Sequence, residues 1–126
     1  NALLIGWSPK KIGVDIERSN RSFKANQLAK RFFSEQEKQY LQGLRKQFMH
    51  KSVLERWVIK ESAIKWQRGS LSLNLRQWQW ENNSSYAFHK SLGYELTTHL
   101  INYYNWTIGI AYDQNMPKSY PILCLA

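Results

Sequence analysis

Gly13-Val14-Asp15-Ile16-Glu17 and Trp57-Val58-Ile59-Lys60-Glu61-Ser62-Ala63-Ile64-Lys65 are the two stretches on which the fold turns. The first extends back to Ile12 and alternates apolar (Ile12, Val14, Ile16) with acidic (Asp15, Glu17) side chains. On a strand this period of two puts both carboxylates on one face and the aliphatic groups on the other. The second has Trp57, Glu61 and Lys65 at intervals of four, so on a helix they lie along one face. A strand and a helix therefore carry three carboxylates, with a lysine one turn beyond the third.

That residue set matches the chemistry of magnesium and phosphate. Magnesium is a hard cation held by one or a few carboxylates together with substrate phosphates and water. It bridges phosphate oxygens and stabilises charge on a leaving group. A lysine beside it neutralises phosphate charge that the metal does not reach. Asp15, Glu17 and Glu61 are the candidate metal ligands and Lys65 the candidate phosphate contact. Each piece also has a plainer reading. An acidic strand face is commonly just solvated, and a glutamate four residues before a lysine on a helix is commonly a weak surface ion pair.

The text between these stretches sharpens the reading. It contains Arg31-Phe32-Phe33-Ser34-Glu35-Gln36-Glu37, followed by Tyr40-Leu41. The series Gly-Val-Asp-Ile-Glu, Arg-Phe-Phe-Ser-x-x-Glu and Trp-x-x-Lys-Glu-Ser-x-x-Lys resembles the 4′-phosphopantetheinyl transferases, specifically the two-halved Sfp-type branch. The resemblance covers residues 12–75 and includes Gly69-Ser70-Leu71-Ser72-Leu73; the last fifty residues match only in pattern. It implies transfer of the phosphopantetheine arm of coenzyme A to a serine of an acyl or peptidyl carrier protein, with release of adenosine 3′,5′-bisphosphate. It implies Asp15, Glu17 and Glu61 as magnesium ligands and Lys65 on the pyrophosphate, assisting departure of the nucleotide. Lys60 is expected to help with phosphates. Glu61 is also the candidate to accept the serine proton, directly or through a water on the metal. Glu37 matches a recurrent family glutamate, but locally Ser34 and Glu37 already form a helix-starting capping box.

The resemblance further implies a partner. Two-halved enzymes are longer than this chain, with coenzyme A held between similar halves. The basic residues that hold its 3′-phosphate are expected in the N-terminal half. The expectation is one domain over residues 1–126 that is the C-terminal half of a longer enzyme. The alternative is a short form whose cleft is completed by a homo-oligomer partner, as in the holo-acyl-carrier-protein synthase branch.

Charge fits these ligands. The 126 residues carry a net charge of +9. Residues 9–68 hold 15 Lys and Arg against 6 Asp and Glu, and residues 69–126 hold 3 against 3, so the positive charge lies in the half with the motifs. Such a surface steers polyanionic coenzyme A and acidic carrier proteins. The same basic and aromatic content also suits a nucleic-acid-binding module, the main rival. That rival leaves the clustered carboxylates unexplained and shows no binding signature. An inactive remnant of the transferase fold is a third reading. The single cysteine, Cys124, excludes an internal disulfide. No apolar run is long enough for a membrane span. A soluble cytoplasmic protein, with neither membrane nor nucleic-acid partners, is expected. His50, His89 and His99 show no ligand spacing.

The pattern predicts an α+β domain, helices packed on a largely antiparallel sheet. Strands are expected at residues 2–7 and 12–17, and helices at 23–31, 34–44 and 48–66, the last stopped by Gly69. Strands at 75–81, 85–89, 94–102 and 105–112 follow as a meander, with Asn82-Asn83 as a turn and an irregular tail from Asp113. Trp78 and Trp80 share a strand face and are expected in the core rather than on a stacking platform. Trp57 is expected to brace the site, and at least one of Phe32 and Phe33 to be core.

Overall fold

The computed structural model describes residues 2–113, so Cys124 and the proline-containing tail lie outside the described residues. Its architecture is α+β. Strand β1 (Ile12–Arg18) leads into helices α1 (Ala25–Phe32), α2 (Glu35–Gln42) and α3 (Lys46–Gln67) and the single turn α4 (Leu71–Asn74). Strands β2 (Trp78–Trp80), β3 (Tyr86–His89), β4 (Glu95–Tyr103) and β5 (Trp106–Asp113) complete it. All pairings are antiparallel, and the sheet order is β1-β5-β4-β3-β2. The meander β2 to β5 thus ends beside β1, which closes the sheet from the far end of the sequence. No helix among the described residues is long and apolar enough to cross a membrane.

Helix α3 lies across the sheet, and two glycines set its distance. A Cβ on Gly13 would stand 1.9 Å from the Ser62 carbonyl oxygen, and one on Gly109 would stand 2.6 Å from Ser62 Oγ and 2.8 Å from the Val58 carbonyl oxygen. Without side chains there, β1 and β5 touch the helix backbone directly. Ser62 Oγ, fully buried, is satisfied by donating to the Val58 carbonyl at 2.8 Å.

The core follows from the same contact. Ile59, Ala63 and Ile64 of α3 pack with Trp78, Trp80, Ala87, Leu96 and Ala111 from the sheet. Both strand tryptophans are core, with their indole N–H groups donating to Gln67 Oε1 (2.9 Å) and the Ser84 carbonyl (3.0 Å). A second cluster (Ala29, Phe33, Leu41, Val53) fastens α1 and α2 to α3. Phe33 is buried there, and half-buried Phe32 meets Trp57 edge-on at 5.7 Å. Helix α2 begins with the expected capping box between Ser34 and Glu37.

Three expectations are corrected. Residues 2–7 form no strand, and Leu3, Ile5 and Trp7 are 78–89% exposed. An apolar alternation needs a sheet edge with which to pair, and this segment instead crosses the side chains of Val14 and Ile12 at Gly6. The α3 stop is not Gly69 itself: Arg68 takes the left-handed conformation (φ 60°), and Gly69 N–H closes the turn on the Ile64 carbonyl. The strand at 75–81 shrinks to three residues because its start is preceded by the turn α4, whose Leu75 packs into the core.

Candidate active site

β1 presents Gly13, Asp15 and Glu17 to the helix side of the sheet and Ile12, Val14 and Ile16 to the other. Their β5 partners Ala111, Gly109 and Thr107 share the helix side. The acidic face is therefore the covered one, and Asp15 is only 5% exposed. The aliphatic face is left half-buried. The close approach at Gly13 and Gly109 carries α3 over β1, so Glu61 and Lys65 arrive beside Asp15.

Lys65 Nζ donates to Asp15 Oδ1 at 2.5 Å, with half of the lysine side chain still exposed. Asp15 Oδ2 is buried without a hydrogen-bond partner among the described residues. Glu61 lies against the same carboxylate. Burial first, then the charge of Asp15 and a hydrogen bond shared with it, push the Glu61 carboxyl up to about 7 against the pull of Lys65. Fully ionised, the two groups have no proton between them and Oδ2 is left orphaned; a protonated Glu61 relieves both problems. Glu17, further along β1, has its carboxyl raised by burial and by Asp15, opposed by Arg21. Arg21 Nη1 donates to Glu17 Oε1 at 2.5 Å.

These residues therefore meet at one corner, where α3 crosses β1, but they are not gathered for a metal as they stand. Among the described residues no three His, Cys, Asp or Glu side chains are placed to hold an ion together. Lys65 and Arg21 occupy lone pairs of Asp15 and Glu17 instead. The donor set still fits a hard divalent cation: carboxylate oxygens only, one of them buried and unpartnered, beside a carboxyl whose proton affinity is raised by its crowding against Asp15.

Lys60 is a correction. It was expected to contact phosphate, but its side chain has no exposed surface. It donates to Glu37 Oε2 at 2.5 Å and to the Leu75 carbonyl at 2.8 Å. No approach remains for a phosphate. Glu37, read locally as a cap, accepts from Ser34 N–H (2.9 Å), Lys60 and Trp80 N–H (3.4 Å), so it joins α2, α3 and β2. The capping signal hid this, because one carboxylate serves both purposes. Trp57 packs between the two apolar clusters against α1. The roles of Gly13 and Gly109 were also missed, although a glycine inside a strand pattern is the usual signal of close backbone approach.

Comparison with known proteins bears on the fold and the family. No curated protein sequence matches the chain significantly. Among solved structures, holo-[acyl-carrier-protein] synthase of Thermotoga maritima is similar, with a TM-score of 0.60 at 15% identity. The likeness covers 80% of this chain and 61% of that one, and at such identity it speaks for the fold. The chain thus spans less than two thirds of the length of the structure it matches. The family model described as 4′-phosphopantetheinyl transferase superfamily matches residues 11–122, and on that match the chain belongs to this superfamily.

Proposed function

We propose that this chain carries the metal-binding half of a 4′-phosphopantetheinyl transferase site, in the manner of the Sfp-type branch. The reaction moves the phosphopantetheine arm of coenzyme A to a serine of an acyl or peptidyl carrier protein. The serine oxygen bonds to the pantetheine-side phosphorus, the pyrophosphate bond breaks, and adenosine 3′,5′-bisphosphate departs. The observation that carries the reading is the meeting of Asp15, Glu61 and Lys65 where α3 crosses β1.

Asp15, Glu17 and Glu61 would hold the magnesium ion, which supplies charge stabilisation for the pyrophosphate. Lys65 is the cation free to shift from Asp15 to the leaving phosphate, since half of it is already exposed. Glu61 is the candidate to take the serine proton, directly or through a water held beside the metal, since it stands at the corner where the serine and the phosphate would meet. Lys60 has no part in phosphate binding. The excess of cations in residues 9–68 supports attraction of coenzyme A and an acidic carrier protein.

The cleft needs a second body, either an N-terminal half or another copy of the chain. The exposure of Leu3, Ile5 and Trp7 supports such a partner. Nucleic-acid binding gains nothing from the family match, and the acidic corner opposes it.

The test is incubation of the chain, together with the second body that completes its cleft, with an apo carrier protein, coenzyme A and magnesium, followed by mass spectrometry of the carrier. A gain of one phosphopantetheine, lost in Glu61→Gln, is the expected result. A chain that neither modifies a carrier nor gains thermal stability from coenzyme A with magnesium would overturn the reading.

A further inference from the structure

Glu37 and Lys60 are charged, buried and unused by the chemistry proposed above. Lys60 has no exposed surface and Glu37 only 5%. A buried ion pair is weak evidence for a stability role, since apolar residues of similar volume often serve as well or better. The contacts of this pair suggest another purpose. Glu37 holds Ser34 N–H, Trp80 N–H and Lys60, while Lys60 also reaches the Leu75 carbonyl and lies 4.6 Å from the Phe33 ring centre. One ammonium on α3 is thus anchored to the start of α2 and to the segment that enters β2.

Lys60 and Glu61 are consecutive, so their side chains leave the helix about 100° apart. With Lys60 tied towards α2 and β2, Glu61 is turned towards β1. Ile59, Ala63 and Ile64 pack on sheet side chains and hold α3 there, but where the helix crosses β1 the contact is different. At that crossing it runs over Gly13 and Gly109, which fix how close the helix lies but add no side-chain ridge, so the tie at Lys60 supplements the core packing in setting its rotation.

We infer that Glu37, acting through Lys60, is a positioning residue that fixes the rotation of α3 about its axis and thereby aims Glu61 at Asp15. The purpose of that aim rests on the proposed function; the geometry does not.

Two variants test it: Glu37→Asp, which keeps the charge but shortens its reach, and Glu37→Gln with Lys60→Met, which removes both charges together. Two measurements are made on each and on the unmodified chain. The first, without metal, is the set of NMR nuclear Overhauser contacts from the Asp15 Hβ protons to the Glu61 and Lys65 side chains. The second is Mn²⁺ affinity in the presence of coenzyme A, read by electron paramagnetic resonance. The paired variant should melt close to the unmodified chain, yet lose those contacts and bind Mn²⁺ about tenfold more weakly, the scale typical of residues that orient metal ligands. Glu37→Asp should fold and show the same losses in smaller degree. Unchanged contacts in a folded variant would overturn the inference. If the paired variant fails to fold, Glu37→Asp decides. Failure of the unmodified chain to bind Mn²⁺ would count against the metal-site reading alone, and the metal-free contacts would still decide the role of Glu37.

Discussion

At Gly13 a methyl group would stand 1.9 Å from the Ser62 carbonyl oxygen and 2.5 Å from the Trp66 amide nitrogen, both backbone atoms that cannot step aside singly. Gly13→Ala must therefore lift α3 from β1, and with it Glu61 and Lys65 from Asp15. A loss of about 3 kcal/mol in denaturant unfolding is expected, at the upper end for an overpacked contact. A variant with unchanged stability would show that the close approach is absent. Glu61 provides a pH-dependent check. In the folded chain it keeps its proton up to about pH 7, whereas the ordinary glutamate value is 4.5. Between these values the folded state holds more protons than the unfolded one, so stability falls as pH rises from about 4.5 to 7 and then levels. After allowance for solvent screening at this partly open position, the fall is on the order of 1–2 kcal/mol. Melting curves in chelator should show it, and Glu61→Gln should remove most of the slope and raise the melting temperature at pH 8. A flat profile in the unmodified chain would contradict the crowding of Glu61 against Asp15.

At the scale of elements, two of the lysines of α3 have opposite circumstances, Lys60 sealed against Glu37 and Lys65 half in solvent on Asp15. Lys60→Ala leaves a buried carboxylate unpaired and should cost about 3–5 kcal/mol. Lys65→Ala should cost less, about 1–2 kcal/mol, because the lysine end of that pair is half in solvent and a protonated Glu61 can still donate to the buried Asp15. Similar losses from chemical denaturation of the two variants would refute the distinction. The end of α3 makes a gentler prediction. Arg68 occupies a left-handed position that disfavours a side chain, so Arg68→Gly should raise stability by about 1 kcal/mol or less; destabilisation would argue against that turn. β1 was legible from its alternation, and α3 from its length and the four-residue recurrence of Trp57, Glu61 and Lys65 rather than from one apolar stripe, since the helix is buried on several sides. Periodicity did not reveal which lysine of α3 turns inward, since Lys60 and Lys65 look alike until α2 and β2 are placed beside them. The stop of α3 was expected at Gly69 for its chemistry, while the turn geometry placed the left-handed residue at its neighbour Arg68. Residues 2–7 looked like a strand for their alternation, but alternation alone supplies no hydrogen-bonding partner.

Over the whole molecule, the meander brings β5 back to β1, and this non-local pairing builds the floor beneath Asp15. The antiparallel α+β class was legible from the order of helical and alternating segments. The strand order was not, because nothing local to β5 names β1 as its neighbour. The corner of Asp15, Glu61 and Lys65 was legible from motif resemblance, whereas the counter-ions Arg21 and Lys65 that hold the carboxylates in the metal-free chain depend on side-chain geometry. The account implies a specific exchange on metal binding: Lys65 gives up Asp15, Arg21 gives up a lone pair of Glu17, and three carboxylates turn to one cation. A crystal structure grown with Mn²⁺ and coenzyme A, with its anomalous difference map, tests this most directly. The account predicts one strong peak within about 2.2 Å of oxygens from Asp15, Glu17 and Glu61, allowing slightly longer bonds than magnesium makes, with Lys65 Nζ moved onto a phosphate oxygen. A map with no peak at that corner, and Lys65 still paired with Asp15 while coenzyme A is bound, would contradict it.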